Sequence, residues 1–303
     1  MRVVWVTGTN GFIGSHVVER LISEKSYHVV GLSKGENRLS SIPELEYFEI
    51  DLSTDFDSKV TELLPQPDII VHCAAISQVD LCERDPGLCE SINVVATEKL
   101  VKIAKEYQAQ FIFFSSDFVF DGSKKEIHEH DQTTPISVYG RSKEKAEYLV
   151  QSSGLKWSII RPVLVYGYSR AASRNNIFSW VYTALRNEEK LQIVNDQFRT
   201  PTFVMDVVEL VSGILNKKST GIYHIGGNDV VSVCDFAQYI AVASGVDEEL
   251  IQPKSSDLVS GGKLRPQYSC VNNSKINKEF QMTPLGFKEG ILKAIQQIEN
   301  RGR

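Results

Sequence analysis

Short apolar runs alternate with amphipathic helical patterns through the first half of the chain. Several of the apolar runs lack the alternation of a half-exposed strand, which is typical of parallel strands covered on both faces. The order predicts βαβ units with right-handed crossovers, and therefore an α/β fold with a doubly wound parallel sheet. The predicted strands are residues 3–6, 28–32, 47–50, 69–72, 111–114 and 157–160, and the predicted helices are residues 11–24, 57–64, 91–107 and 138–151.

The rhythm of the pattern changes after Arg161-Pro162. We expect residues 1–165 to form one domain and residues 166–303 to form mainly a smaller C-terminal α/β lobe over the carboxyl edge of the sheet. Later segments such as 203–226 are expected to return to the first domain. The predicted helices are 175–187, 204–216, 234–244 and 284–299, the predicted strands are 191–194 and 221–227, and residues 254–265 are predicted to form a loop.

Composition and charge exclude several classes of partner. The 303 residues are 42% hydrophobic and 23% charged, which is ordinary for a globular protein. The net charge is −5, and acidic and basic residues are interspersed along the chain. Nothing in bulk electrostatics attracts nucleic acid or an anionic membrane, and no apolar run reaches membrane-spanning length. The five cysteines form no C-x-x-C pair and are interpreted as reduced thiols of a cytoplasmic protein.

A glycine-rich loop joins the first predicted strand to the first predicted helix. Glycines allow a tight turn and a close approach of backbone to a pyrophosphate, and the helix N-terminus adds free N–H groups. The spacing is Gly-x-x-Gly-x-x-Gly rather than Gly-x-Gly-x-x-Gly, but its position indicates a dinucleotide site of Rossmann type. The candidate cofactor-binding residues in this loop are Gly8, Asn10, Gly11, Phe12, Ile13 and Gly14.

The end of the second strand bears on the choice between NAD and NADP. An acidic residue there would bind the ribose 2′-hydroxyl and repel a 2′-phosphate. The chain instead has Ser33, which can donate a hydrogen bond, and Lys34 and Arg38, which can neutralise phosphate. This pattern favours NADP(H) over NAD(H). Two further pairs follow later strands: Asp51-Leu52 is expected to meet the adenine, and Ala74-Ala75 to leave room for the middle of the cofactor.

Tyr139 and Lys143 are four residues apart in a predicted helix, so their side chains share one face. A nearby ammonium group can bias a phenol toward its ionised form. Free tyrosine has a pKa near ~10, so acid–base work close to neutral pH needs roughly 3 units, or about 4 kcal/mol, of differential stabilisation. The spacing alone also arises by chance on exposed helices.

With these features the chain resembles the extended short-chain dehydrogenase/reductase superfamily and, within it, the dTDP-4-dehydrorhamnose reductase family. The resemblance covers nearly the whole chain. It rests on Ser115-Ser116-Asp117-Phe118-Val119-Phe120-Asp121-Gly122, Val138-Tyr139-Gly140-Arg141-Ser142-Lys143, Arg161-Pro162 leading to Tyr166-Gly167, Asn195-Asp196-Gln197-Phe198 with Pro201-Thr202, Gly221 to Gly227, and Arg265-Pro266.

The resemblance implies hydride transfer from NADPH to the 4-keto group of a nucleotide-linked deoxysugar. Ser116 would hydrogen-bond the carbonyl oxygen, Tyr139 would deliver the proton, and Lys143 would bind the nicotinamide ribose and lower the tyrosine pKa. The C-terminal lobe would bind the substrate. The implied substrate-binding residues are Ser116, Asp117, Phe118, Asn175, Asn176, Gln197 and Arg265. Mg²⁺ and a homodimer are implied by family analogy only.

Two departures from the family pattern are visible. Ser116 stands where this branch has threonine, which keeps the hydroxyl, and Phe118 stands where tyrosine is common, which removes a hydroxyl from the expected sugar pocket. A sugar-nucleotide 4,6-dehydratase would need an acid pair after the hydroxyl residue, and Phe118 follows Asp117 instead. An epimerase remains an alternative, as does a non-catalytic nucleotide-binding protein, because a regulatory subunit of methionine adenosyltransferase belongs to the same family.

No metal site is predicted. His128 and His130 are two residues apart in a polar loop, with Asp131 beside them, so no helix face unites the two imidazoles. The spacing also differs from H-E-x-x-H.

Overall fold

A computed structural model describes residues 1–54, 63–168, 176–259 and 261–300. The predicted helix at residues 57–64 lies largely outside the described residues, and so does the candidate substrate residue Asn175.

A seven-stranded parallel sheet forms the centre of the molecule. Its strand order is β11-β6-β5-β4-β1-β2-β3, so the chain winds outward in both directions from β1 and β4. In open sheets of this kind, ligands bind at the carboxyl ends of the strands where the winding direction reverses, which here is between β1 and β4. The strands are β1 (Arg2–Thr7), β2 (Tyr27–Ser33), β3 (Glu46–Glu49), β4 (Ile69–His72), β5 (Gln110–Phe114), β6 (Trp157–Pro162) and β11 (Gly221–Ile225).

The doubly wound sheet predicted from the sequence is confirmed. Successive side chains of β1 point to opposite faces of the sheet, and both faces are covered. Val4 and Val6 pack into the core on one face of the sheet, and Trp5 packs into the core on the other. Helices α1 (Phe12–Ser23) and α7 (Val204–Lys217) cover the first face. Helices α4 (Ala96–Glu106) and α5 (Val138–Gln151) cover the second.

The helix predicted at residues 91–107 is irregular at its start. Ser91–Val95 forms one π-helical turn before α4 begins at Ala96. Within that turn, the side-chain amide of Asn93 accepts from the backbone N–H of Ile76 at 2.8 Å and donates to its carbonyl at 3.0 Å. The extra residue of a π-turn lets a side chain reach such a target. Two short helices precede it, α2 (Val79–Arg84) and α3 (Pro86–Glu90), which the sequence pattern did not predict.

The C-terminal half adds smaller elements around a separate apolar cluster. β11 returns to the central sheet, where it pairs with β6; the division of the chain at residues 165 and 166 stays a prediction. The helices are α6 (Ile177–Arg186), α8 (Val233–Ala243), α9 (Ser274–Phe280) and α10 (Phe287–Glu299), and the strands are β7 (Val165–Tyr166), β8 (Leu191–Val194), β9 (Phe198–Arg199), β10 (Thr202–Phe203), β12 (Val231–Ser232), β13 (Ile251–Lys254) and β14 (Tyr268–Ser269).

The segment predicted as a loop at residues 254–265 has its own local order. Lys254 ends β13, and two single 3₁₀ turns follow at Ser256–Leu258 and Gly262–Leu264. The carboxylate of Asp196 accepts hydrogen bonds from the segment's first residues at 2.9 to 3.2 Å. Over the four described ranges, no helix has the length and apolar character needed to cross a bilayer.

Candidate active site

The glycine loop lies where β1, β4 and α1 meet. Gly8 has a positive φ of 70°, and a Cβ on it would come within 2.8 Å of the Ala74 backbone. A Cβ on Gly14 would collide with the carbonyl of Gly8. A side chain at either position would therefore clash with the backbone of the turn at the head of α1. The first N–H groups of a helix have no acceptor within the helix and can bind a phosphate. The loop fits a dinucleotide pyrophosphate.

Asn10 ties this loop to the segment after β2. Its side-chain amide donates to the carbonyls of Lys34 and Glu36 and to the hydroxyl of Tyr47, each at 3.0 Å. Its oxygen accepts from the backbone N–H of Arg38 at 3.1 Å. The residues expected to recognise the phosphate and the ribose are thus brought together by one amide. Sequence reasoning missed Tyr47, because nothing in its local pattern points to this contact.

Lys34 and Asp51, which were assigned to different parts of the cofactor, form an ion pair. The ammonium and carboxylate are 2.8 Å apart, and Lys34 holds the pKa of Asp51 down at about 2. Leu52 beside it is buried, and the backbone N–H of Ala74 donates to the hydroxyl of Thr7 at 3.1 Å. Ser33 accepts a 3.4 Å bond from the N–H of Asn10. These residues border the same loop.

Ser116, Tyr139 and Lys143 come from two elements that pack against each other. Ser116 follows β5 and caps the 3₁₀ turn Asp117–Val119 by accepting from the N–H of Phe118 at 3.2 Å. Tyr139 and Lys143 lie on α5, with only 7% and 1% of their surfaces exposed. The Lys143 ammonium lies 4.2 Å from the centre of the Phe113 ring.

Phe118 packs against Tyr139, with ring centres 5.7 Å apart and an angle of 66° between the planes. The residue that departs from the family pattern therefore contacts the predicted proton donor directly. Close packing of the helix makes this contact possible, because a Cβ on Gly140 would collide with the Phe118 carbonyl.

Burial dominates the acid–base properties of the pair. Burial raises the pKa of Tyr139 above its ordinary value, while the Ser116 hydroxyl acts to lower that pKa. The lowering of the phenol pKa that the resemblance assigns to Lys143 stays a prediction, because in this structure removal of water disfavours the phenolate and sets the direction of the shift. Burial also lowers the pKa of Lys143 to about 8, against the opposing charge of Glu147.

Asp117 and Arg199 lie in a buried polar cluster beside Ser116; each is 3% exposed. The Ser116 hydroxyl and one Asp117 carboxyl oxygen are hydrogen-bonded at 2.9 Å. Arg199 donates to the carbonyls of Phe198 and Gln267 and to the side chain of Gln197, at 2.7 to 3.2 Å.

Three predicted substrate contacts also have roles within the protein. Asn176 caps α6, accepting from two N–H groups at its start and donating to the Gly167 carbonyl at 2.8 Å. The buried Gln197 donates to the Gly262 carbonyl at 3.0 Å. Arg265 is paired with Asp80 at 2.8 Å and is 29% exposed. Contact of these side chains with a substrate stays a prediction.

Sequence reasoning missed two supports of the site, Asn93 and Glu147. Asn93 also donates to the hydroxyl of Ser142, next to Lys143, at 2.9 Å. Glu147, one helical turn after Lys143, binds Arg161 through two hydrogen bonds of 2.8 and 2.6 Å. The four-residue spacing from Tyr139 through Lys143 to Glu147 is the signal that could have found the acid.

The described residues contain no group of three or more histidine, cysteine, aspartate or glutamate side chains that could hold a metal. His128 and His130 stack on each other with ring centres 5.5 Å apart.

The sheet order and the glycine loop place the chain in the extended short-chain dehydrogenase/reductase class, to which NAD(P)-dependent oxidoreductases belong. Within that class, the chain belongs to the family of the RmlD substrate binding domain, whose model matches residues 1–300.

The chain is similar along most of its length to proteins with different names. The "probable low-salt glycan biosynthesis reductase Agl14" of Haloferax volcanii is 31% identical over 279 residues, or 91% of each chain. Methionine adenosyltransferase 2 subunit beta of Xenopus laevis is 29% identical, covering 96% of this chain and 86% of its own.

Solved structures agree with the fold. A dTDP-4-dehydrorhamnose reductase from Clostridium acetobutylicum matches with a TM-score of 0.84 at 25% identity, covering 99% of this chain and 100% of that one. The Bacillus anthracis dTDP-4-dehydrorhamnose reductase, in complex with NADP, gives 0.83 at 24% identity over 98% and 99% of the two chains. At that identity the second likeness supports the fold alone.

Proposed function

We propose that this protein reduces the 4-keto group of a nucleotide-linked deoxysugar with NADPH, as a dTDP-4-dehydrorhamnose reductase does. The observation that carries the proposal is the buried set of Ser116, Tyr139 and Lys143 beside the glycine loop at the carboxyl edge of the sheet. NADPH supplies the hydride when it is bound.

Ser116 and Tyr139 would both donate hydrogen bonds to the carbonyl oxygen as negative charge develops on it. The raised pKa of Tyr139 keeps the proton on the phenol until the carbonyl oxygen becomes basic enough to take it. Lys143, whose ammonium has an aromatic ring on one side, would hold the ribose next to the nicotinamide.

The residues after Ser116 favour reduction over dehydration. Elimination of water needs separate acid and base groups, and here one carboxyl, Asp117, is followed by Phe118. The Phe118 ring packs on Tyr139 and offers no proton. An epimerase is the alternative within the class, and retention of a tightly bound nicotinamide cofactor through purification would favour it.

Preference for NADPH is supported by the segment after β2. Ser33, Lys34 and Arg38 surround the end of that strand, and the nearest acid in the sequence is Glu36, whose carbonyl binds Asn10. Arg38 and the Ser33 hydroxyl suit a 2′-phosphate, and the 80% exposed side chain of Lys34, now paired with Asp51 at 2.8 Å, could turn to add its charge.

The test is oxidation of NADPH in the presence of dTDP-4-keto-6-deoxy-L-mannose, followed by absorbance and by mass analysis of the sugar. Tyr139→Phe should lower kcat by about 10²- to 10⁴-fold. Tyr148→Phe is the matched control, because that tyrosine lies on the same helix and is 72% exposed. Wild-type turnover no faster than that of Tyr139→Phe would contradict the proposal.

A second function is favoured by the relatives named as subunit beta of methionine adenosyltransferase 2. In that case the protein would bind NADPH without turning over any keto-sugar. It would also change the activity of a methionine adenosyltransferase catalytic subunit when the two are mixed. The two assays together separate the functions.

A further inference from the structure

The hydroxyl of Ser116 has one proton to donate, and the carboxyl of Asp117 is close enough to accept it. One carboxyl oxygen of Asp117 lies 2.9 Å from Ser116 Oγ, and the N–H of Phe118 donates to the same Oγ from 3.2 Å. An ionised carboxylate has no proton and can only accept. If Asp117 were ionised, Ser116 would have to give its proton to Asp117. It could not then donate to a substrate carbonyl.

The surroundings of Asp117 favour its neutral form. The residue is 3% exposed, and its second carboxyl oxygen has no hydrogen-bond partner within the part of the chain that the structure describes. A buried carboxylate normally uses both oxygens. Burial raises the pKa of this carboxyl, although Arg199 and the hydroxyls of Ser269 and Ser116 act in the opposite direction.

The groups that face Asp117 come from three elements. Tyr139 lies on α5, Arg199 on β9, and Ser269 and Cys270 at the end of β14. Arg199 is the cation among them, but its N–H groups donate to two backbone carbonyls and to Gln197. Its charge is therefore stabilised without a direct contact to the Asp117 carboxyl.

We propose that Asp117 acts as a neutral carboxylic acid that donates its proton to Ser116 Oγ, and so turns the serine proton toward the substrate carbonyl. The hydrogen bonds would run from Asp117 to Ser116 and from Ser116 to the substrate oxygen. Asp117 is then a positioning residue that acts through Ser116. The inference rests on the proposed reduction for its consequence, but the protonation of Asp117 can be measured without substrate.

The first experiment is infrared difference spectroscopy on the full-length protein, unlabelled and labelled with ¹³C-aspartate, near neutral pH. We expect a carboxylic-acid C=O band that shifts with the label and is lost in Asp117→Asn. Asp121→Asn should keep the band, because hydrogen bonds that Ser123 donates to Asp121 lower the pKa of that carboxyl and favour its ionised form. Ser116→Ala should shift the band frequency, since it removes the proposed acceptor. The Ser116→Ala variant also tests the assignment of the band if Asp117→Asn does not fold.

The second experiment compares pH profiles of kcat with the keto-sugar. A neutral acid is protonated below its pKa, so the wild-type rate should fall as pH rises through the pKa of Asp117. Asp117→Asn can still donate an N–H to Ser116, so it should lack this fall. Asp117→Ala cannot donate and should approach Ser116→Ala, about 10²-fold below wild type.

Each outcome has one meaning. No acid band, or Asp117→Asn as impaired as Asp117→Ala, overturns the role of Asp117. A band without any turnover of the keto-sugar leaves Asp117 neutral and counts against the proposed reduction instead. The variant Arg199→Met predicts the direction of a further change. The charge of Arg199 lowers the pKa of Asp117, so its removal should move the fall in rate to higher pH.

Discussion

Arg161 binds Glu147 through two hydrogen bonds of 2.8 and 2.6 Å, and both side chains are 3% exposed. Glu147 follows Lys143 by one turn of α5, where an acid would ordinarily pair with a lysine. The carboxylate of Glu147 is instead taken up by Arg161. The other side of Arg161 contacts His224, whose Nε2 is 3.3 Å from Nη1.

Removing one partner of this pair should destabilise the fold strongly. Glu147→Gln or Arg161→Met leaves an uncompensated buried charge or unpaired polar groups, and should lower the free energy of unfolding by about 3–5 kcal/mol. The double variant Glu147→Leu/Arg161→Met should recover most of that loss. Urea unfolding is the measurement. Lys145→Ala is the control: it breaks an exposed pair with Glu90 and should change stability by less than about 1 kcal/mol.

Binding of NADPH should weaken as pH rises through about 8, the lowered pKa of Lys143. Below that pH the side chain is an ammonium that can hold the ribose, and above it the charge is lost. Fluorescence titration of NADPH at pH values on both sides should show the change. Lys143→Met should bind weakly at neutral pH and lack the dependence. The same dependence in that variant would assign it to another group.

Gly140→Ala should damage both stability and catalysis. The added Cβ would collide with the Phe118 carbonyl and lie 2.9 Å from Pro135 Cβ. Overpacking of this kind costs about 1–3 kcal/mol, and it would push Tyr139 away from Ser116, lowering kcat. Thermal melting and turnover are the measurements. Gly87→Ala should have little effect, because the nearest atom to its Cβ is 3.6 Å away.

Acid should unfold the protein partly through His72 and His224. Burial lowers the pKa of each to about 3, from 6.5 in the unfolded chain. The unfolded state therefore binds more protons, and stability falls as pH drops from about 6.5 toward 3. Each pH unit in this range lowers the free energy of unfolding by at most about 1.4 kcal/mol per histidine. His72→Asn and His224→Asn should each make the free energy of unfolding less dependent on pH. An unchanged slope in both variants would exclude these histidines.

Ser33→Asp should shift the preference for the cofactor from NADPH toward NADH. A carboxylate at the end of β2 would bind a ribose 2′-hydroxyl and repel a 2′-phosphate. The ratio of kcat/KM with NADPH to that with NADH should fall at least about tenfold, which corresponds to roughly 1.4 kcal/mol. Ser26→Asp places the same charge in an exposed turn before β2 and should leave the ratio unchanged. A wild-type enzyme equally efficient with NADH would contradict the expectation at the outset.

Hydrophobic patterning alone predicted the doubly wound sheet, because parallel strands buried on both faces leave a strong signal. The six strands predicted in the first half are all present. The short strands β7, β9, β10, β12 and β14 were not predicted. Each has two residues, so its identity depends on a partner elsewhere in the chain rather than on local pattern.

The candidate site, like the fold, was predicted from the sequence only in part. Spacing and residue type pointed to Ser116, Tyr139 and Lys143, since a helix places residues four apart on one face. Only tertiary structure decided their electrostatic state. The phenol was expected to be acidified by its neighbour, but burial raises its pKa instead, and burial is a property of the whole packed molecule.

Long-range contacts were beyond the sequence for a physical reason. Asn10 reaches Tyr47, and Arg265 reaches Asp80, across 37 and 185 residues of chain. Such pairs form because strand order and loop packing bring distant segments together, and no local propensity encodes them. The sequence by itself determined the sheet and the glycine loop and indicated the candidate catalytic residues. The tertiary structure decided which charges face one another and which polar groups are buried away from water, because both depend on contacts between distant segments.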